Sequence, residues 1–397
     1  MNILVFLTLT IIGASLAEGA CPIRGCTCST SGDIMCGGAN LRRIPAIAPP
    51  RPNQLRQTYG ELQLGRNNIR EIPARAFENL KVKHLALWHN PIGDSIAPQS
   101  LMGLDNTLLT IDMWDCDLEN LPLGLFNHLK KLRKIELGSN KISQLTEGFF
   151  EGAKDLWSIS LKKNKIQQVA RDWFRGLSKL AEIDFQNNEI AGIAIGAFDG
   201  LTKLRRLHLD GNKLTTIVPG MMSGLGNLQE LYLQKNPLQS IADDSFSHAS
   251  NLKKLNMAET GIGRLRAKMF NGLGQLQHLS LGHNNLSFVP PGLYKMLSSL
   301  KHLDLDHNKL SNIGSGCAVR RLEFSPPGEN SAPGYNEFIM NIAANPIDCT
   351  CYMEWVNEFI DFGGEITGLC KTPSNLAGST VGSADMFNEC PTPMCMS

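Results

Sequence analysis

Nine leucines recur every 24 residues, at Leu108, Leu132, Leu156, Leu180, Leu204, Leu228, Leu252, Leu276 and Leu300. Eight residues after each stands a small polar side chain: Cys116, Asn140, Asn164, Asn188, Asn212, Asn236, Thr260, Asn284 and Asn308. A fixed period of this length marks a stack of like units, each burying its apolar face against the next, rather than one globular core. A stack displays a long surface, which points to binding before catalysis.

Each unit reads L-x-x-L-x-L-x-x-N-x-L, as in Leu204 to Leu214. The alternation Leu207-x-Leu209 has period two and predicts a short strand, so stacked units place parallel strands side by side. A parallel sheet needs its inner face covered. The cover comes from two further columns. One is apolar and lies five past the polar position (Ile72, Leu121, Leu145, Val169, Ile193, Ile217, Ile241, Leu265, Val289). The other is bulky and lies ten past it (Phe77, Phe126, Phe150, Phe174, Phe198, Met222, Phe246, Phe270, Tyr294). The second column predicts an aromatic spine along the convex side. Asn carries donors and acceptors, so the Asn column is expected to satisfy the turns that leave each strand. It reads as scaffold, with Cys116 an unpaired structural thiol in the same place. The phase extends back to Asn67 and Asn90. Forward, Asn308 to Asn345 is 37 residues, one unit plus an inserted loop rich in Pro and Gly at about 314–336.

The apolar run Ile3 to Leu16, followed by Ser15-Leu16-Ala17, reads as a signal peptide over 1–17. No later stretch approaches the roughly 18 apolar residues of a spanning helix. The tail from Pro391 to Ser397 lacks the hydrophobic segment of a lipid anchor. The expectation is a secreted, extracellular protein with no membrane insertion. Formal charge is +1 and pI is near 7.6, with basic residues scattered, so no nucleic-acid partner is expected. Eleven cysteines in a secreted chain imply disulfides rather than zinc. Four cluster at the front (Cys21, Cys26, Cys28, Cys36) and four at the back (Cys349, Cys351, Cys370, Cys390).

The repeat resembles the extracellular leucine-rich repeat family. The segment from Cys21-Pro22 through Cys26, Cys28 and Cys36, then Leu41 to Ile44-Pro45, resembles that family's N-terminal cap. Asn345-Pro346 with Cys349, Cys351, Trp355, Cys370 and Cys390 resembles its C-terminal cap. The resemblance implies an α/β solenoid. Its form would be a curved horseshoe with a parallel concave sheet, a mostly irregular or short-helical convex side and disulfide-bonded caps. The domains would be an N-terminal cap at 18–54, repeats at 55–344 and a C-terminal cap at 345–397. It also implies the pairs Cys21–Cys28, Cys26–Cys36, Cys349–Cys370 and Cys351–Cys390. Cys317 and Cys395 remain as a candidate pair between inserted loop and tail, or as free or intermolecular thiols. Within the family, Asn312 to Ser315 and Phe324 to Gly328 resemble the last-repeat extension of small matrix proteoglycans. The C-terminal cap is closer to chondroadherin-like matrix proteins or receptor ectodomains. Chain segments before Cys21 offer no proteoglycan extension, and no glycosaminoglycan is assigned.

Caps have a plain physical role, since an open stack exposes apolar side chains at each end. Residues two, four and six before each polar position point outward and form rungs on the concave face, with neighbouring rungs ~5 Å apart. Trp88 and Trp114 share a column in adjacent units, with His84, His89, Asp112 and Asp115 beside them. Exposed Trp on a rigid sheet is a binding anchor. Glu182, Asp184, Arg206, His208, Asp210, Glu230 and Tyr232 form a mixed-charge middle suited to a protein partner. Near the C-terminal end lie His278, His283, His302, Asp304, Asp306 and His307. A metal is not expected there, since no close-spaced ligand motif is present; His278, His302 and Asp304 are the residues that would serve if one bound. Asn285-Leu-Ser287 is a glycosylation sequon at the rim.

No phosphate loop, nucleophile elbow or zinc-protease motif is found, so no enzyme and no cofactor are expected. The leading reading is a non-enzymatic scaffold of the extracellular matrix or pericellular space that binds a protein partner on its concave face. The alternative is a soluble receptor-like recognition protein in immunity, signalling or development. Oligomeric state is not legible.

Overall fold

The computed structural model describes residues 21–47, 58–290, 292–313, 338–350, 353, 356, 359–360 and 363–383. Signal peptide 1–17, inserted loop 314–336 and the pairs Cys351–Cys390 and Cys317–Cys395 lie outside these residues.

One fifteen-stranded sheet runs the length of the chain. Twelve strands come from the repeats, beginning with Tyr59–Gln63 and Val82–Ala86 and ending with His302–Asp304 and Ile339–Asn341. They pair in sequence order, parallel and in register, as in Arg206↔Glu230, Leu207↔Leu231 and His208↔Tyr232. Most are three residues long because each unit provides one inward side chain between two outward ones. Leu207 is fully buried while Arg206 and His208 are half-buried. The period-24 leucines lie beneath, all buried. The aromatic column is buried throughout, and Phe126, Phe150 and Phe174 stack at 6.1 and 6.3 Å. Burial of side chains this size contributes roughly 1.5–3 kcal/mol each, which holds unit to unit. Helix is scarce among the described residues: a 3-10 turn at Ala267–Phe270, an α-helix at Gly292–Met296, and helical Val356, Phe359 and Ile360 in the C-terminal cap. Turns make up most of the convex side instead, with two pairs of two-residue strands, Gln168–Val169 with Gly192–Ile193 and Thr216–Ile217 with Ser240–Ile241.

The Asn column is a hydrogen-bond ladder. Asn212 donates from Nδ2 to Leu209 O (2.9 Å) in its own unit and to Phe185 O (3.0 Å) in the preceding one. Its Oδ1 accepts from Ile190 N at 3.0 Å. Asn140, Asn164, Asn188 and Asn308 repeat the pattern. The residue before each polar position, from Arg66 to Ala344, is left-handed with φ between 47° and 66°. Only one of these twelve is glycine, Gly211, so the ladder supports a turn that ordinary side chains adopt at a cost of roughly 1–2 kcal/mol. Across the 37-residue interval the ladder still closes: Asn345 donates to Leu305 O (2.8 Å) and accepts from Leu310 N (3.0 Å). The insertion therefore leaves the stack unbroken.

Two positions depart from Asn. Cys116 donates from Sγ to Leu87 O (3.3 Å), and burial pushes its thiol pKa up to about 12. Thr260 donates to Met257 O (2.9 Å). Neither offers an acceptor to the amide that an Asn would serve. The amides of Ile92 and Leu238 turn back instead to Asn90 O and Asn236 O, both at 2.8 Å. Proline follows the polar residue in each case, as Pro91 and Pro237, and favours such a turn.

Caps close both ends. Thr27–Cys28 and Ile34–Met35 form an antiparallel hairpin whose second strand continues the sheet, with Ile34 against Leu62. Cys21–Cys28 and Cys26–Cys36 tie it, with Cα separations of 5.5 and 4.7 Å. At the other end Glu365–Thr367 joins Ile339–Asn341, and Cys349–Cys370 clamps the neighbouring pair of short strands. Phe338 and Phe359 meet edge to face over the last unit.

Replacing Asn212 by Ala strands two carbonyls and one amide in a dry turn. We expect a loss of roughly 2–4 kcal/mol, since an unsatisfied buried group costs about 1–3 kcal/mol. Urea denaturation reads this directly, with Lys213→Ala on the exposed rim as a control expected within ~0.5 kcal/mol of the parent. Coincident midpoints for all three proteins would show that the ladder carries little stability.

The concave face as candidate binding site

The rungs show three groups of side chains, and they differ in how well the protein satisfies them. At the N-terminal end His84 hydrogen-bonds Thr110 (2.7 Å) and His89 bonds Asp115. Asp112 accepts from Trp114 N (2.9 Å). Its carboxyl is nonetheless raised above the ordinary aspartate range, chiefly by burial and further by Glu136. Trp88 and Trp114 share their column but lean apart. Trp88 lies over Gly65, where a β-carbon would fall 2.5 Å from the ring; Trp114 lies over Gly138, whose β-carbon would also collide with the indole. Arg66 sits 5.1 Å above the Trp88 ring, and Lys162 sits 5.0 Å above that of Trp114. The expected single patch is thus two half-sites, each an indole under a cation, facing opposite directions along the sheet. Trp88 walls a cavity of about 570 Å³ floored by Gly37, Gly38 and Gly65, with Met35 of the cap hairpin on its rim.

In the middle, Arg206 pairs with Glu182 (3.3 Å), and His208 stacks flat on Tyr232 at 4.5 Å. Tyr232 donates to Glu230 (2.7 Å), and Lys254 lies over its ring. Burial, then the bond to Glu230, pushes the Tyr232 phenol up to about 12. Asp210 is only 4% exposed; its Oδ2 accepts from Gln186 (2.7 Å) while Oδ1 has no hydrogen-bond partner. Beside it the buried Oε1 of Gln234 is also unpartnered. Asp184 is raised, first by burial and also by the nearby Asp210 charge, against the bond from Gln186 N and the pull of His208 and Lys162.

At the C-terminal end two imidazole ladders form. His278 stacks on His302 at 4.4 Å, and His283 on His307 at 4.1 Å. Burial, then the neighbouring His302, Lys254 and Lys301, holds His278 below the usual histidine range. Asp304 does not serve the imidazoles of its own ladder: it accepts from Asn341 (2.9 Å) and Ser280 (3.2 Å). His278, His302 and Asp304, the residues that would serve if a metal bound, line one shallow groove. Among the described residues, the side chains that converge are His283, Asp306 and His307. Asn285 is exposed beside Asn284, on the rim.

Of the expected site residues, Glu182, Asp184, His208 and Tyr232 come together. Gln234 and the seats Gly65 and Gly138 were not anticipated. All three stand in the column two before the polar position, and reading that column as a series would have exposed them.

This architecture, a capped parallel solenoid whose side chains are committed to the scaffold on one side and displayed on the other, defines a class of surface-presenting repeat proteins. A family model described as leucine rich repeat matches residues 106–166, 156–214, 186–238, 202–262, 226–286, 250–310 and 276–319, together more than half the chain. The chain belongs to the leucine-rich repeat family. It is 34% identical over 118 residues to leucine-rich repeat-containing protein 3B of Homo sapiens, Mus musculus and Bos taurus, covering 29% of this chain and 42% of that one. It is 30% identical over 143 residues to podocan of Mus musculus, covering 31% and 22%. The chain thus spans less than half the length of these curated relatives. Among solved structures, an octameric complex of Latrophilin 3, Unc5D and FLRT2 (LRR) contains a similar chain. The TM-score is 0.67 at 23% identity, covering 92% of this chain and 99% of that one, a likeness of fold. No helix among the described residues is long and apolar enough to cross a membrane.

The raised carboxyl of Asp184 has a signed consequence. Folding holds its proton more tightly than the unfolded chain does, so the group favours folding most at low pH and loses that advantage as pH rises through its folded pKa. Asp184→Asn keeps an acceptor for Gln186 N and removes the buried charge. It should raise the urea midpoint at about pH 7, with the difference shrinking as pH falls and vanishing below the ordinary value of 3.8. A lower midpoint at neutral pH would mean that the charge stabilises the fold.

Proposed function

We propose that this chain is a secreted, non-enzymatic scaffold that binds a protein partner on its concave face in the extracellular matrix or pericellular space. One observation carries the reading. Of the seven buried side-chain polar atoms without a partner among the described residues, five lie on the rungs: Ser160 Oγ, Asp210 Oδ1, Gln234 Oε1, His302 Nδ1 and Asp306 Oδ1. Leaving such atoms unpaired costs about 1–3 kcal/mol each. The convex side and the ladder have almost none, so the deficit sits where a partner's donors and acceptors would meet it. Cation-capped indoles at Trp88 and Trp114 add aromatic anchors of the kind that dominate interfaces. Alternating acids and bases along the middle rungs suit a protein better than a polyanion. Disulfide-tied caps and partial similarity to podocan support the extracellular setting.

The test is affinity capture with the immobilised protein from matrix extract and, separately, from a membrane fraction. We expect a matrix protein to be retained by the parent. In Trp88→Ala/Trp114→Ala its binding should fall about tenfold or more, the scale of a hot-spot loss, with unchanged circular dichroism. Capture of a defined cell-surface protein alone would favour the receptor-like alternative. Equal capture by parent and variant would remove the indoles from the interface.

Asn285 is proposed to carry an N-linked glycan. Expression in a secreting eukaryotic cell should give a protein whose mobility shifts on glycosidase treatment, and Asn285→Gln should abolish the shift. A glycosidase-insensitive parent would rule the modification out.

A further inference from the structure

We infer that His283, Asp306 and His307 form a binding site for a zinc-class divalent ion at the C-terminal rim of the concave face. The inference goes beyond the partner-binding reading and does not depend on it.

The three side chains come from two adjacent turns. His283 and His307 occupy the left-handed position just before the ladder residues Asn284 and Asn308, at φ 54° and 47°. The same backbone twist in consecutive units aims both imidazoles the same way, which is why their rings stack at 4.1 Å. Asp306 sits one residue earlier, in the column two before the ladder, and crosses toward the preceding unit. Gly282 makes that crossing feasible: a β-carbon there would collide with Asp306 Oδ1. The carboxylate thus lies against both imidazoles, with Oδ2 3.1 Å from His307 Nδ1 and 4.0 Å from His283 Nε2. One ligand atom from each residue falls within 4.8 Å of the others.

Ligands about 2.0–2.1 Å from a tetrahedral zinc stand roughly 3.3 Å apart, which the 3.1 Å contact meets and the 4.0 Å contact exceeds. The side chains of His283 and His307 are half exposed, so the rings have room to turn out of their parallel stack and converge on one ion. Asp306 Oδ1 is buried without a partner, a cost that a cation beside the carboxylate would offset. Two nitrogens and one oxygen select zinc, copper or nickel over calcium and magnesium, which take oxygen ligands. Three protein ligands leave a coordination position open toward solvent, the arrangement that admits a group from outside the chain.

The neighbouring ladder supplies an internal control. His278 and His302 stack similarly at 4.4 Å, but the carboxylate of that rung, Asp304, is held by Ser280 and Asn341. Two stacked imidazoles without a free carboxylate should bind the ion far more weakly.

The experiment is calorimetric titration of the full chain, stripped with chelator, with zinc chloride alone. We expect one ion per chain and no heat from calcium chloride. His283→Gly/His307→Gly should weaken zinc binding about tenfold or more. Glycine accepts the left-handed backbone at both positions, so this variant is expected to fold, which circular dichroism checks. Asp306→Asn should weaken binding in the same direction, and His278→Ala/His302→Ala should leave it unchanged. No heat from the parent, undiminished binding in the His283/His307 variant, or loss confined to the His278/His302 variant would each overturn the proposal. Because no protein partner is used, failure here leaves the partner-binding reading standing, and the converse also holds.

Discussion

Everything in this molecule hangs on the side-chain amide that follows each strand. A chain that turns sharply once per 24 residues, with turn after turn stacked away from water, leaves three backbone groups per unit needing partners. One Asn meets all three and reaches across to the preceding unit in doing so. A made hydrogen bond contributes only about 0.5–1.5 kcal/mol net, while an unmade one in a dry turn costs about 1–3 kcal/mol. The ladder therefore acts mainly by preventing a penalty that would otherwise be levied at every turn. Its tolerance has limits that the two departures define. Cys116 and Thr260 still donate, but the amide left over is served by a local turn next to proline.

With the backbone satisfied this way, the concave face is released from holding the stack together, and its chemistry shows it. Scaffold atoms are paired almost without exception. Face atoms are not: Asp210 Oδ1 has no hydrogen bond and only His208 Nδ1 at 3.8 Å beside it, and Asp112 and Asp184 carry charges that their burial opposes. Folded-state stability is given up on one side of the sheet only. That asymmetry is the physical signature of a surface shaped by something other than its own fold.

The sequence made the scaffold legible because its signal is periodic. Once Leu207 and Leu209 are inward, Arg206, His208 and Asp210 must be outward, and the same phase applies to every unit. Grouping on the face was harder to read. Trp88 and Trp114 look like one patch in the column, yet each falls toward the glycine on its far side, Gly65 or Gly138, because that is where space lies. His278 and His302 share one column as His283 and His307 share another, each pair with an aspartate close by in sequence, Asp304 or Asp306. Whether a carboxylate reaches its imidazoles was decided by Asn341 and Ser280 in one case and by a missing side chain at Gly282 in the other. Periodicity says which way a residue points; the neighbours two columns away say where its end group comes to rest.

The left-handed residue before each ladder position has a consequence for how such a chain can change. The Asn that follows fixes the turn through backbone groups alone, so the turn itself does not depend on the side chain at this point, although some pair across units, as His89 does with Asp115. The row reads Arg66, His89, Asp115, Ser139, Lys163, Asn187, Gly211, Lys235, Glu259, His283, His307 and Ala344, almost every class of chemistry in turn. One edge of the horseshoe is thus an editable margin, where a single codon can change the chemistry on display while the turn beneath it stays the same.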